Sequence, residues 1–142
     1  MVILKRRIWF IVPGEPVAQG RARFSMRSGF VRAYDPKKSS QYKSYVARIA
    51  KETYPLEAID SAVELTLNFY MPIPKSFSKA KRTAALAGTI RPVVKPDIDN
   101  LAKATMDAIT GICYTDDKLI VSCKLEKWYS ANPRTEVKVW EV

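Results

Sequence analysis

Lys95-Pro96-Asp97-Ile98-Asp99-Asn100-Leu101-Ala102-Lys103-Ala104-Thr105-Met106-Asp107-Ala108-Ile109-Thr110-Gly111 separates an α+β chain from an all-β one. Leu101, Ala104, Ala108 and, past the glycine, Ile112 recur at the spacing of one helical face. A helix is therefore predicted over Leu101–Thr110, capped by Asp99 or Asn100 and stopped at Gly111. On both sides the apolar period changes to two. Upstream, Val63, Leu65, Leu67 and Phe69 alternate with Glu64, Thr66 and Asn68, so Ala62–Tyr70 reads as a half-buried strand that ends at Met71-Pro72-Ile73-Pro74. Downstream, Leu119–Tyr129 and Thr135–Glu141 read as two strands facing each other in a hairpin across Ser130–Arg134. Between the first of these strands and the helix, Ser76–Ala87 is a basic excursion with a short helix at its centre.

The amino-terminal half fits the same class. Ile8–Val12 reads as a buried strand closed by Pro13-Gly14. Arg21–Met26 and Phe30–Tyr34 flank Arg27-Ser28-Gly29 as a hairpin whose charged face comes from Arg21, Arg23, Arg27 and Arg32. Phe24 and Phe30 are read as core or interface residues before wedges for nucleic acid, because buried aromatics are the commoner case. Asp35 before Pro36 opens a helix predicted over Pro36–Thr53, with Tyr42, Tyr45, Val46, Ile49 and Ala50 at helical spacing. Residues 1–142 thus form one α+β domain, a mixed β-sheet covered by two main helices, with the strand order left open.

Charge and composition narrow the chemistry. Lys and Arg number 24 against 14 Asp and Glu, a net charge of +10 that favours a polyanionic partner such as nucleic acid. Histidine is absent, which removes Ser-His triads, HExxH zinc sites and imidazole bases. Cys113 and Cys123 match neither a Cys-x-x-Cys nor a zinc pattern. The first residues run apolar then basic, the reverse of a secretory signal, and no apolar run reaches membrane-spanning length, so a cytoplasmic protein without membrane attachment is expected.

Against that basic background, five of the seven aspartates fall between Asp97 and Asp117. Crowded carboxylates repel one another, and a bound cation offsets that cost. Asp97 and Asp99, two apart on an extended segment, would point to one side, beside the positive end of the helix they introduce. Asp116-Asp117 precedes the next strand, and one of this pair would complete a three-carboxylate set if that strand neighbours the Asp97 segment. Oxygen donors alone suit magnesium, which keeps several waters, so metal-dependent phosphodiester hydrolysis is the fitting reaction. Lys103 shares a polar face with Asn100 and Asp107. Spacing leaves two roles open for it, a salt bridge to Asp107 or a contact to the scissile phosphate. Asp99 read alone is also a plain helix cap, and Asp116-Asp117 read alone are plain turn residues.

The run Lys95 to Ile109, continued by Tyr114-Thr115-Asp116-Asp117-Lys118-Leu119-Ile120-Val121, resembles the RusA family of Holliday junction resolvases. Members carry an Asp-x-Asp-Asn-Leu-x-Lys helix entry, an aspartate four residues after the lysine, and an Asp-Asp pair before a strand. Pro13-Gly14-Glu15-Pro16 and Gly20-Arg21-Ala22-Arg23-Phe24 are similar to the amino-terminal pattern of the phage-associated branch. The resemblance implies a homodimeric, Mg2+-dependent endodeoxyribonuclease, with Mn2+ able to substitute, that cuts four-way DNA junctions in recombination and repair. It implies metal ligands at Asp97, Asp99 and Asp117 and an essential lysine at Lys103, with Asp116 and Asn100 as further candidates. Where the bacterial type has arginine before the first aspartate, this chain has Lys95-Pro96, so a phosphate contact there falls to Lys95 or Arg91. Two other readings stay open: a non-catalytic basic DNA-binding module, and a nuclease of the same fold acting on forks, flaps or RNA.

Overall fold

The computed structural model describes residues 4–142 apart from Ser28 and Asp35, and omits the side chains of Arg23, Arg27, Phe30, Arg32, Ala33 and Tyr34. Four strands make the main sheet: β1 (Arg7–Pro13), β4 (Val63–Pro72), β5 (Ile120–Ser130) and β6 (Arg134–Glu141), in the order β1-β6-β4-β5. β6 runs antiparallel to β1 and β4, whereas β5 runs parallel to β4. β2 (Arg23–Arg27) and β3 (Phe30–Tyr34) form the separate antiparallel hairpin predicted for that stretch.

The hairpin expected between the last two strands does not form, because β4 lies between them. The chain from β4 to β5 carries a helix, and a strand-helix-strand crossover delivers parallel neighbours. β6 must then pass over the end of β4. That distance is two strand spacings, about 9.5 Å, and residues 131–133 reach it because each extended residue adds roughly 3.3 Å. β4 is also the strand with the most to bury: Val63, Leu65, Leu67, Phe69 and Met71 are all buried on one face.

That face is covered by α1 (Lys37–Thr53) and α3 (Ile98–Ile109). Tyr42, Val46 and Ala50 of α1 and Leu101, Ala104, Ala108 and Ile109 of α3 meet Ile8, Phe10 and Val12 of β1 and Val137 and Val139 of β6. Tyr42 Oη lies 2.8 Å from Thr135 Oγ1, so the buried hydroxyl is satisfied and α1 is tied to β6. α1 begins one residue later than predicted, with Pro36 at its cap, and Asp35 lies outside the described residues. α2 (Lys79–Leu86) is the short helix predicted in the basic excursion, capped by Ser78, whose hydroxyl accepts from the Lys81 amide.

The hairpin departs from expectation at Phe24. This side chain is 70% exposed, as are Met26 and Val31 beside it to similar extents, so Phe24 is not a core residue. Phe30's side chain is outside the described set. A two-stranded ribbon has only one layer and supplies no second face to bury against.

Candidate active site

α3 starts at Ile98, a turn earlier than its apolar pattern suggests, because half-buried Ile98 extends the packed face toward the proline. The cap is therefore Asp97, with an extended backbone, whose carbonyl accepts from the Leu101 amide and whose carboxylate makes no capping bond. Neither Asp99 nor Asn100 is the cap. Asp99 is in the first turn, so the argument that Asp97 and Asp99 share the side of an extended segment does not hold. Asp99, Lys103 and Asp107 instead follow one another at i, i+4 spacing along one stripe of the helix.

That stripe walls an open pocket of about 340 Å³, closed on the other side by Asp117 and Leu125. The structure thus brings Asp99, Lys103, Asp107 and Asp117 together, while exposed Asp97 stands at the helix cap outside the lining. Asn100 also lies outside it; its carbonyl accepts from the Gln19 amide at 2.9 Å, which moors the loop after β1 beside the helix start. The salt bridge considered between Lys103 and Asp107 is not made. Asp107 pairs across to Lys43 of α1 at 3.5 Å, and Lys103 makes no ion pair among the described residues. Lys103 is exposed and lines the pocket.

Asp117 reaches the pocket because the turn after α3 is held on both sides. Gly111 takes φ +87°, a left-handed conformation at which a side chain is strained, and its amide donates to the Tyr114 carbonyl. Ile59 donates to the Cys113 carbonyl and accepts from the Thr115 amide, and Thr115 Oγ1 bonds Asp60 at 2.7 Å. Asp116 then caps a 3₁₀ turn, Asp117–Leu119, by accepting from the Lys118 amide at 3.0 Å. That bond holds the Asp116 carboxyl below the usual carboxylate range. Asp116 is thereby engaged with its own backbone, and Asp117 faces the pocket.

The magnesium implied by the sequence can be tested against these donors. No group of three or more Asp, Glu or Cys side chains stands at metal-holding spacing among the described residues. Asp99 and Asp117 nevertheless offer carboxylates to one solvent-open pocket. Magnesium usually takes one or two protein carboxylates and fills its shell with water and substrate phosphate, so this donor set fits it; a fully enclosed protein cage is not what it requires.

The approach to Asp97 is strapped to β5 by a residue the sequence reading did not single out. Lys127 Nζ donates to the carbonyls of Val94 at 2.8 Å and Pro96 at 2.7 Å. Its register partner on β4 is buried Phe69, which places Lys127 in the apolar alternation of Leu125, Lys127 and Tyr129. A lysine at a core-facing strand position must find oxygen partners, and that was the available signal. Arg91 strengthens the strap: its Nε donates to the Lys127 carbonyl at 2.6 Å, its guanidinium stacks 3.4 Å from the Trp128 ring, and it pairs with Glu126 at 3.5 Å. Arg91 is thus committed to the fold, and its expected use as a phosphate contact is not supported. Lys95 remains exposed beside the strap, and Arg21 is exposed in the loop before β2. The side chains of Arg23, Arg27 and Arg32 lie outside the described residues.

The family model for "Endodeoxyribonuclease RusA" matches residues 13–140. The chain belongs to this endodeoxyribonuclease family. It is also 45% identical over 137 residues to "Uncharacterized protein YqaN" of Bacillus subtilis (strain 168), a match covering 95% of this chain and 96% of the relative.

Proposed function

We propose that this chain is a magnesium-dependent, structure-specific endodeoxyribonuclease that resolves four-way DNA junctions as a homodimer. The observation that carries the reading is the convergence of Asp99, Lys103 and Asp117 on one open pocket, in a chain of net charge +10 from an endodeoxyribonuclease family. Asp99 and Asp117, with Asp97 at the adjacent cap, would hold the ion, and manganese would suit the same oxygen donors. Bound there, it supplies a water of lowered pKa and a counter-charge for the phosphodiester. Lys103 projects from the same helical stripe as Asp99 and stabilises charge building on the phosphate oxygens. Surface cations, Arg21 and Lys95 among them, take the flanking phosphates. A junction has approximate two-fold symmetry, so a two-fold dimer sets two equivalent sites on opposed strands.

The test is a labelled four-way junction incubated with wild type and Asp99→Asn, with and without magnesium, beside fork, flap, duplex and RNA substrates at one salt concentration. Wild type should nick opposed junction strands only with magnesium. Asp99→Asn should lose at least about 100-fold in cleavage and bind as tightly or more tightly, since a negative charge facing the DNA is gone. A gel shift without cleavage means a binding module; preferential cutting of forks, flaps or RNA reassigns the substrate; full activity in Asp99→Asn sinks the site.

A further inference from the structure

A second pocket, of about 400 Å³, lies where β4 and β5 end and the strap begins. Its walls are apolar: Met71 and Pro72 from β4, Tyr129 from β5, and Pro74, Pro92 and Val94 from the connecting loops. Pro96 in its wall directly precedes Asp97, the cap of α3. Exposed Lys75, Lys95 and Glu15 stand at its rim.

We propose that this pocket receives an unstacked nucleobase from the strand being cut, next to the scissile phosphate. The inference rests on the nuclease reading above and adds a substrate subsite to it. Three observations support a base. The volume lies in the range of small-molecule sites, and the lining joins an aromatic ring and proline rings with few polar groups, which suits a flat π-face. The rim is mainly cationic: Lys75 and Lys95 match the phosphates on either side of an extruded nucleotide, while the Glu15 carboxylate accepts from an exocyclic amino group. The wall is built in advance, because Lys127 holds both the Val94 and Pro96 carbonyls and Phe77 packs edge-on against Tyr129 at 5.5 Å. A preformed pocket spends no binding energy on ordering itself. Unstacking costs least where pairing is already disturbed, so a subsite here favours DNA whose branch point is opened over plain duplex.

The experiment places 2-aminopurine, a base whose fluorescence rises on unstacking, at each position within three nucleotides of the mapped cut in a four-way junction. Wild type, bound in chelator so that the strand stays intact, should raise emission at one position by at least about threefold, an unstacking-scale change. Val94→Trp fills the pocket from an exposed position and should abolish the rise, whereas Tyr129→Ala removes a ring that partly quenches the seated base and should shift emission at that same position away from the wild-type value; junction affinity, set by phosphates, changes by less than about fivefold in both. Val94→Trp keeps the test decisive if Tyr129→Ala is unstable. No rise at any position with wild type that binds and cuts the junction overturns the proposal, as does an undiminished rise in Val94→Trp. Failure of wild type to cut any branched DNA shows first, as absence of product, and sinks the nuclease reading beneath it.

Discussion

Half-buried Lys127 stands in the core-facing alternation of β5, and two carbonyls accept from its Nζ. Those carbonyls belong to Val94 and Pro96, so the ammonium fixes the main chain one residue short of Asp97. Lys127→Met keeps the apolar stem and removes both bonds. It should cost about 1.5–3 kcal/mol, the range for hydrogen bonds to a charged group, read as a lower urea midpoint at unchanged m-value. It should also raise the magnesium concentration needed for half-maximal cleavage, because Asp97 is no longer held. An unchanged midpoint and an unchanged magnesium response would remove Lys127 from the site's support. Residue type and spacing offered Asp97 and Asp99 with one of Asp116-Asp117 and left Lys103 between two roles; the family resemblance narrowed these to Asp97, Asp99, Asp117 and Lys103. Neither showed which aspartate faces the pocket, because that depends on whether residue 99 is extended or helical.

At the level of elements, the turn between α3 and β5 decides where Asp117 points, and Cys113 is its internal probe. Cys113 is fully buried, and burial pushes its thiol up to about 12, whereas Cys123 is exposed on β5 with a thiol raised by partial desolvation. A raised thiol pKa means less thiolate at a given pH; for Cys113 at pH 8 only roughly one molecule in ten thousand is ionised. Iodoacetamide at pH 8 should therefore modify Cys123 alone in the native protein and both cysteines in denaturant, as counted by intact mass. Equal native rates at both would show that the Gly111–Tyr114 turn opens readily. The elements themselves were legible wherever a period was long: β4 by alternation, α1 and α3 by helical spacing. Their pairing was not. β5 and β6 are joined by a short link and read locally as a hairpin, yet the crossover through α3 gives β5 to β4 and sends β6 past it.

At the scale of the whole molecule, charge governs the encounter with DNA. A net charge of +10 makes DNA affinity depend on counterion release. Junction binding should weaken at least about tenfold between 50 and 200 mM salt, with log affinity linear in log salt. Asp99→Asn should show the same slope, because it alters no phosphate-contacting cation. A flat salt response would break the link between the charge and DNA.

Composition and period by themselves determined the α+β class, the exclusion of histidine chemistry and the crowding of five aspartates between Asp97 and Asp117, since these depend on residue type and local spacing alone. Only the tertiary structure decided that Asp99 rather than Asp97 lines the pocket, that Asp116 is spent on a 3₁₀ cap, that Asp107 bonds to α1, and that Arg91 and Lys127 hold the strap. Each of those outcomes depends on which element lies beside which, and residues far apart in the chain set that by burying the face of β4.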